Sequence, residues 1–183
     1  ISFEDTLKIL QKRGRFMQES VPSGDGAMLA VLGISSKELD EILNENKDNY
    51  QCFIANDNSK IQVVVSGLKK DINLLSDDLS NKKIKNLKLN VSAPFHCKYM
   101  KTASEKMASY INQLKMNKLE KPIISNVTAK ETVSPKEIKS LLISQIEKKV
   151  RWLESIEYMK NNGVKNFVEI GPGKVLSGLI KRI

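Results

Sequence analysis

Residues 27–92 read AMLAVLGISSKELDEILNENKDNYQCFIANDNSKIQVVVSGLKKDINLLSDDLSNKKIKNLKLNVS, and this stretch decides the fold. Ala27 to Leu32 is an apolar run of the length of a buried strand, closed by Gly33. Ser35 stands three residues before Glu38, a capping box that opens a short helix with the stripe Leu39, Ile42 and Leu43. Gln51 to Ala55 and Ile61 to Ser66 read as two strands, the second with Ile61, Val63 and Val65 on one face; the polar NDNSK between them reads as a hairpin-like connection. A helix fits Leu68 to Leu79, and the alternation Leu87, Leu89, Val91 supplies a fourth strand. In order this is β-α-β-β-α-β, the pattern of a ferredoxin-like α+β unit.

On the N-terminal side, Phe3, Leu7, Leu10 and Met17 recur at near-helical spacings. They place a first helix, without a visible cap, that ends near Ser20 before the turn-rich SVPSGDG. Beyond Pro94 the stripe Met100, Ala103, Met107, Ile111, Leu114 is helical, and Pro122 to Val127 reads as a short strand. Ser134 as N-cap, Pro135 and Glu137 start another helix, with Ile138, Leu141, Leu142 and, oddly, Gln145 in its apolar stripe. A helix around Trp152, Ile156 and Met159 ends at Asn161-Asn162-Gly163. Asn166 to Ile170 then reads as a strand, Gly171-Pro172-Gly173 as a turn, and Val175 onward as a last helix. The tail is α/β in style. The chain therefore divides into a helical portion of a larger body (1–25), a small inserted α+β unit (26–95) and the C-terminal part of that body (96–183).

Composition sets outer bounds. The chain has 183 residues, 40% hydrophobic and 28% charged, which is ordinary globular stock. No apolar run approaches the ~20 residues of a membrane span and no basic-then-apolar leader precedes the first helix, so a soluble intracellular protein is expected. Cys52 and Cys97 form neither a disulfide framework nor a CxxC metal motif and read as free thiols. Thirty Lys+Arg against 21 Asp+Glu give a formal charge of +9, which attracts acidic partners of any kind. Lysines spread along the chain and only 5% aromatics do not make a nucleic-acid stripe.

Several motifs are tested and fail. Gly171-Pro-Gly173-Lys174 lacks both the first glycine of a P-loop, Val168 standing there, and its Ser/Thr, Val175 standing there. Gly24-Asp-Gly26 has Leu29 at the third glycine position of a dinucleotide fingerprint. Three side chains remain. His96 is the sole histidine, past a predicted strand in Ser92-Ala-Pro-Phe-His96-Cys97, so no His-based metal cluster exists; as a base it would need a nucleophile from elsewhere, because neighbours in extended chain point apart. Arg13 and Arg15 flank Gly14 near a helix end, either as solvated cations or as a planar fork for a carboxylate or phosphate. Gln145 in an apolar stripe needs partners for its amide or a cavity to face.

Read together, Arg13-Gly-Arg-Phe-Met-Gln18, Gly26-Ala-Met-Leu-Ala-Val-Leu-Gly33, Gln62-Val-Val-Val-Ser-Gly67, Ser92-Ala-Pro-Phe-His96, Asn126-Val-Thr128, Val150-Arg-Trp152, Ser155-Ile156 and Phe167-Val-Glu-Ile-Gly-Pro-Gly-Lys-Val-Leu176 resemble, in order and over essentially the whole chain, the malonyl-CoA:acyl carrier protein transacylase family of fatty acid synthesis. The resemblance implies an α/β fold, an α/β-hydrolase-like large subdomain with the ferredoxin-like small subdomain inserted. It implies His96 as general base and Gln145 as the residue whose backbone carbonyl orients it. It implies Arg13, not Arg15, as the arginine that binds the malonyl carboxylate, with Met17 one helical turn on in the same pocket. Asn58 falls near the family's asparagine at the pocket mouth, with Lys60 where proline is usual, and Phe95 resembles the bulky residue that accompanies malonyl substrates.

The family's nucleophilic serine sits in a Gly-x-Ser-x-Gly elbow, and none occurs here. It is expected upstream of Ile1, with the oxyanion donors, so the chain reads as a C-terminal portion that is inactive alone. The whole protein is expected to be a cytoplasmic monomer that passes malonyl from coenzyme A to acyl carrier protein without a metal or resident cofactor, its only nucleotide group being the coenzyme A thioester substrate. The alternative is a non-catalytic remnant or binding module of the same fold that docks an acidic partner. An elbow upstream of Ile1 separates the two.

Overall fold

The computed structural model describes residues 1–183. Helix α1 (Phe3–Gln18) does have a cap: the Ser2 hydroxyl accepts from the Asp5 amide at 3.0 Å, and Glu4 and Asp5 meet the positive end of the helix dipole. Then follow β1 (Gly26–Leu32), α2 (Ser36–Glu45), β2 (Cys52–Ser59), β3 (Gln62–Leu68), α3 (Lys69–Asn81) and β4 (Lys85–Lys88). The four strands form one antiparallel sheet in the order β2-β3-β1-β4. Ser35 and Glu38 close both halves of the capping box of α2.

Alternation along β1 divides the sheet's two faces. Leu29 and Val31 point with Val63 and Val65 of β3 toward α2 and α3, where Leu39, Ile72, Leu75 and Leu79 complete a core. Met28 and Ala30 point the other way with Val64 and Ala55, and Phe95 packs on them. The back of the sheet therefore carries the segment that bears the lone histidine.

The remaining chain is a short 3-10 turn (Lys98–Met100), α4 (Lys101–Gln113), the two-residue strands β5 (Ile123–Ile124) and β6 (Glu131–Thr132) paired as a hairpin, α5 (Pro135–Ser144), α6 (Trp152–Asn161) and α7 (Val175–Ile180). Phe16 and Met17 of α1 join Met100, Ala103, Met107 and Ile111 of α4 and Ile146 in a second core, against which Phe95 also packs.

Four expectations are corrected. The NDNSK segment is not a connection: β2 runs through Ser59, and its polar residues are accommodated on an edge strand with register shifts between Ile54 and Asn56 and between Asp57 and Ser59. Ile61 falls in the turn and is exposed rather than sharing the face of Val63 and Val65. The fourth strand ends at Lys88, with Leu87 exposed and only Leu89 packed on the sheet. Residues 166–170 form no strand, and Val168 and Ile170 are 84% and 96% exposed. A strand exists only when a neighbour accepts its backbone hydrogen bonds, and neither sheet of this chain pairs with this segment. No helix is long and apolar enough to cross a membrane.

Gly26 opens β1 against Pro94. A Cβ built on Gly26 would sit 2.2 Å from Pro94 Cδ and 2.8 Å from its backbone nitrogen, so the glycine lets the 92–97 segment lie on the sheet. Gly26→Ala is expected to cost about 1–3 kcal/mol, the range for overpacking. Urea unfolding of the two chains measures it; an unchanged midpoint would show that this approach is not tight.

Candidate active site

His96 lies two residues after Pro94, and its backbone is in the left-handed region at φ 58°. For a non-glycine residue that conformation costs about 1–3 kcal/mol and persists only where the surroundings impose it. Here Phe95 packs into two apolar clusters on one side, and on the other the buried Cys97 thiol donates to Pro94 O at 3.0 Å. The turned backbone delivers the imidazole to the end of α5, where His96 Nδ1 lies 2.9 Å from the Gln145 carbonyl oxygen.

That carbonyl is free for a structural reason. Gln145 is the C-cap of α5, and the last carbonyls of a helix have no intrahelical donor. Since a carbonyl only accepts, Nδ1 carries the proton and Nε2 keeps its lone pair. Burial lowers the His96 pKa from its ordinary value of 6.5; the Gln145 bond opposes this, and the nearby Arg13 charge adds to it. The imidazole is neutral at pH 7, the form a general base requires.

Arg13 reaches the same residue from α1: its Nη2 donates to Gln145 Oε1 at 2.8 Å, which gives the odd glutamine of the apolar stripe its partner. Arg13 is half-buried, burial lowers its pKa, and it makes no ion pair. A desolvated guanidinium held by a neutral amide retains donors for an anion. Arg15, by contrast, is exposed and paired with Glu19 at 3.1 Å.

The structure thus brings His96, Gln145 and Arg13 together through two hydrogen bonds. Met17 is buried in the core that includes Ile146 and on which Phe95 packs. Asn58 is half-buried on β2 and makes no side-chain hydrogen bond to the three. His96 borders a groove of about 1300 Å³ between the small sheet and the 147–154 segment, with Phe53, Lys98 and Lys149 among its lining residues. Arg13 and Gln145 head a second recess of about 380 Å³ between α1, α4, α5 and β5. Gln145 lines the second recess, and its carbonyl meets the histidine that borders the groove.

The segment carrying Gln145 is pinned twice more. Val150 bridges to β2, donating to Ala55 O at 2.8 Å and accepting from the Asp57 amide at 2.9 Å. Arg151, the middle residue of Val150-Arg-Trp152, chelates Glu154 and donates to Val127 O at 3.3 Å and Thr128 O at 3.1 Å. Two motif pieces, Asn126-Val-Thr128 and Val150-Arg-Trp152, are therefore halves of one contact. In a third piece the Glu169 carboxylate accepts from the Leu176 and Ser177 amides at 3.1 and 2.9 Å, capping α7. Cys97 stands beside His96, but burial raises its pKa, and burial pushes Cys52 up to about 12, so neither is a ready thiolate.

A neutral, oriented imidazole with an unpaired arginine beside it suits acyl transfer to and from an acid-bearing acyl group, and the chain belongs to the family of acyl transferase domains, which matches residues 1–182. Among its relatives, the malonyl CoA-acyl carrier protein transacylase of Staphylococcus aureus (strain MRSA252) is 42% identical over 187 residues, covering 100% of this chain and 60% of that protein. The protein of the same name from Bacillus subtilis (strain 168) is 39% identical over 185 residues, covering 58% of its length. The crystal structure of malonyl CoA-acyl carrier protein transacylase from Clostridium perfringens ATCC 13124 superposes with a TM-score of 0.95 at 40% identity, over 100% of this chain and 58% of that one. A malonyl-transacylase solved in complex with a type II PKS acyl-carrier protein matches with a TM-score of 0.94 at 35% identity, over 100% of this chain and 59% of that one. The chain spans about 60% of the length of the curated relatives it matches.

Proposed function

We propose that this chain is the base-and-clamp portion of a malonyl-CoA:acyl carrier protein transacylase, a cytoplasmic enzyme of fatty acid synthesis. The observation that carries the reading is the half-buried Arg13 without a carboxylate, joined through Gln145 to an imidazole whose Nε2 is free. In this reading residues 26–95 are a ferredoxin-like small subdomain, for which the order β2-β3-β1-β4 speaks, set into an α/β-hydrolase-like body. The exposed apolar residues Val168, Ile170 and Val175 support a further part of that body packing here. Burying each would stabilise by about 1.5–3 kcal/mol.

The reaction is a two-step exchange through a seryl ester. His96 Nε2 takes the proton of a serine hydroxyl as its oxygen attacks the thioester carbonyl of malonyl-CoA. The tetrahedral adduct collapses, the C–S bond breaks, and the proton passes from Nε2 to the coenzyme A sulfur. The thiol of carrier-bound phosphopantetheine then attacks the ester; His96 takes its proton and returns it to the serine oxygen as the C–O bond breaks. Arg13 holds the free malonyl carboxylate throughout. No cofactor enters, since coenzyme A is itself a substrate. The serine comes from the part of the relatives' length that this chain does not span, because the chain contains no Gly-x-Ser-x-Gly elbow.

The test is mass spectrometry after incubation with malonyl-CoA. The 183-residue chain alone should take up no malonyl group. The completed protein, made by joining it behind the portion of the Bacillus subtilis relative it leaves uncovered, should take up one, on a serine outside the chain. A stable adduct on a residue of this chain would overturn the assignment.

A further inference from the structure

Gln145 makes two different bonds with two different parts of itself. Its backbone oxygen faces His96 Nδ1 at 2.9 Å, and its side-chain Oε1 faces Arg13 Nη2 at 2.8 Å. A helix C-cap supplies the first whatever its side chain. Only an acceptor at the right reach supplies the second. Ala or Leu in this apolar stripe would leave the half-buried guanidinium without a partner, at the desolvation cost of an unsatisfied polar group.

We propose that the Gln145 side chain is the positioning residue of the arginine clamp, so that one residue aims the imidazole through its carbonyl and the guanidinium through its amide oxygen. The role rests on the reading of Arg13 as the carboxylate clamp. A free guanidinium would sweep the recess between α1 and α5; bonded to Oε1, it is held at the residue whose backbone carbonyl meets His96. An amide suits this task better than an acid. Glutamate would pair with Arg13 and compete with the substrate carboxylate, whereas glutamine directs the cation and leaves its charge unspent.

Arg13 and His96 are thereby coupled. Arg13 lowers the imidazole pKa, so an anion on the guanidinium raises it and makes His96 a stronger base when the clamp is filled. Other charged groups that line the groove with His96 include Lys98, Glu147, Lys148 and Lys149, with Asp57, Lys60, Glu154 and the Lys37, Asp40, Lys47 and Asp48 side chains of the 37–48 segment on its other walls. None of them bonds to the Gln145 side chain.

The chain has one histidine, so its imidazole signals in NMR are unambiguous. The full chain is compared with Gln145→Met, which keeps length and the backbone carbonyl but removes the acceptor, and with Gln145→Glu. In Gln145→Met the ligand-free chain should keep the Nδ1–H tautomer of His96, while the separate Arg13 guanidinium signals of the restrained side chain collapse as it rotates freely. Gln145→Glu should raise the His96 pKa. With S-malonyl-N-acetylcysteamine as probe, Gln145→Met should bind about tenfold more weakly, with S-acetyl-N-acetylcysteamine unaffected. Arg13 signals unchanged in Gln145→Met, or loss of the His96 tautomer with them, would overturn the positioning role, the second outcome by showing a general collapse. If the Arg13 signals respond but the wild-type chain shows no preference for the malonyl probe, the positioning role stands and the carboxylate reading of Arg13 falls.

Discussion

His96→Ala in the completed protein is expected to slow formation of the malonyl ester by about 10²–10⁴-fold, the usual contribution of a general base. A serine hydroxyl is a poor nucleophile near neutral pH, and the chain offers one imidazole, neutral by burial and with its Nδ1 proton held by Gln145. The same substitution leaves a Cβ in the left-handed region, so a thermal melt accompanies the rate measurement. His96→Asn, whose side chain tolerates that backbone, separates lost chemistry from lost fold. A folded variant that acylates at the native rate would return His96 to a structural role.

The second large effect falls on specificity. Arg13→Ala should weaken transition-state binding for malonyl transfer by about 2–5 kcal/mol and leave acetyl transfer nearly untouched, because only malonyl brings a charge that loses its partner. The comparison of kcat/KM for malonyl-CoA and acetyl-CoA reads this difference and cancels general damage to the site. Gln145 Oε1 also loses its donor in this variant, so Arg13→Lys, which keeps charge but not the planar fork, should recover only part of the selectivity. Equal losses for the two substrates would place the discrimination elsewhere.

Much of the local chemistry was legible in the sequence, although the Ser2 cap of α1 was not read there. The capping box of Ser35 and Glu38 and the Ser134 cap with Pro135 both form where their spacing places them. The oddness of Gln145 was visible too, since a glutamine in an apolar stripe has to be explained. Its explanation was not, because Arg13 lies 132 residues away in sequence. Asp57 and Asn58 mislead for a related reason. Polarity marks a loop only where both sides of the backbone meet solvent, and here an edge strand takes them, one side paired to β3 and the other bridged to Val150. The alternation at 166–170 has the right period, but a period says nothing about which neighbour completes the ladder. Arg151 was within a quoted motif, yet its bonds to Val127 and Thr128 span 24 and 23 residues and appear only when the chain is folded.

The central claim is that one oriented, neutral imidazole drives transfer. It is tested most directly by following single-turnover malonyl transfer to the carrier in the completed protein across pH, alongside the NMR titration of His96 in the same protein. Burial and the Arg13 charge hold the folded pKa below 6.5, so the base form persists through neutral pH and is lost on acidification below that value. The same displacement makes the protein less stable as pH falls from 6.5 through the folded pKa, because the unfolded chain takes the proton first. Single-turnover rates are therefore compared only where the fold is intact. The rate is expected to fall with the same midpoint as the imidazole signal. A rate that stays level while His96 takes up its proton in the folded protein would contradict it.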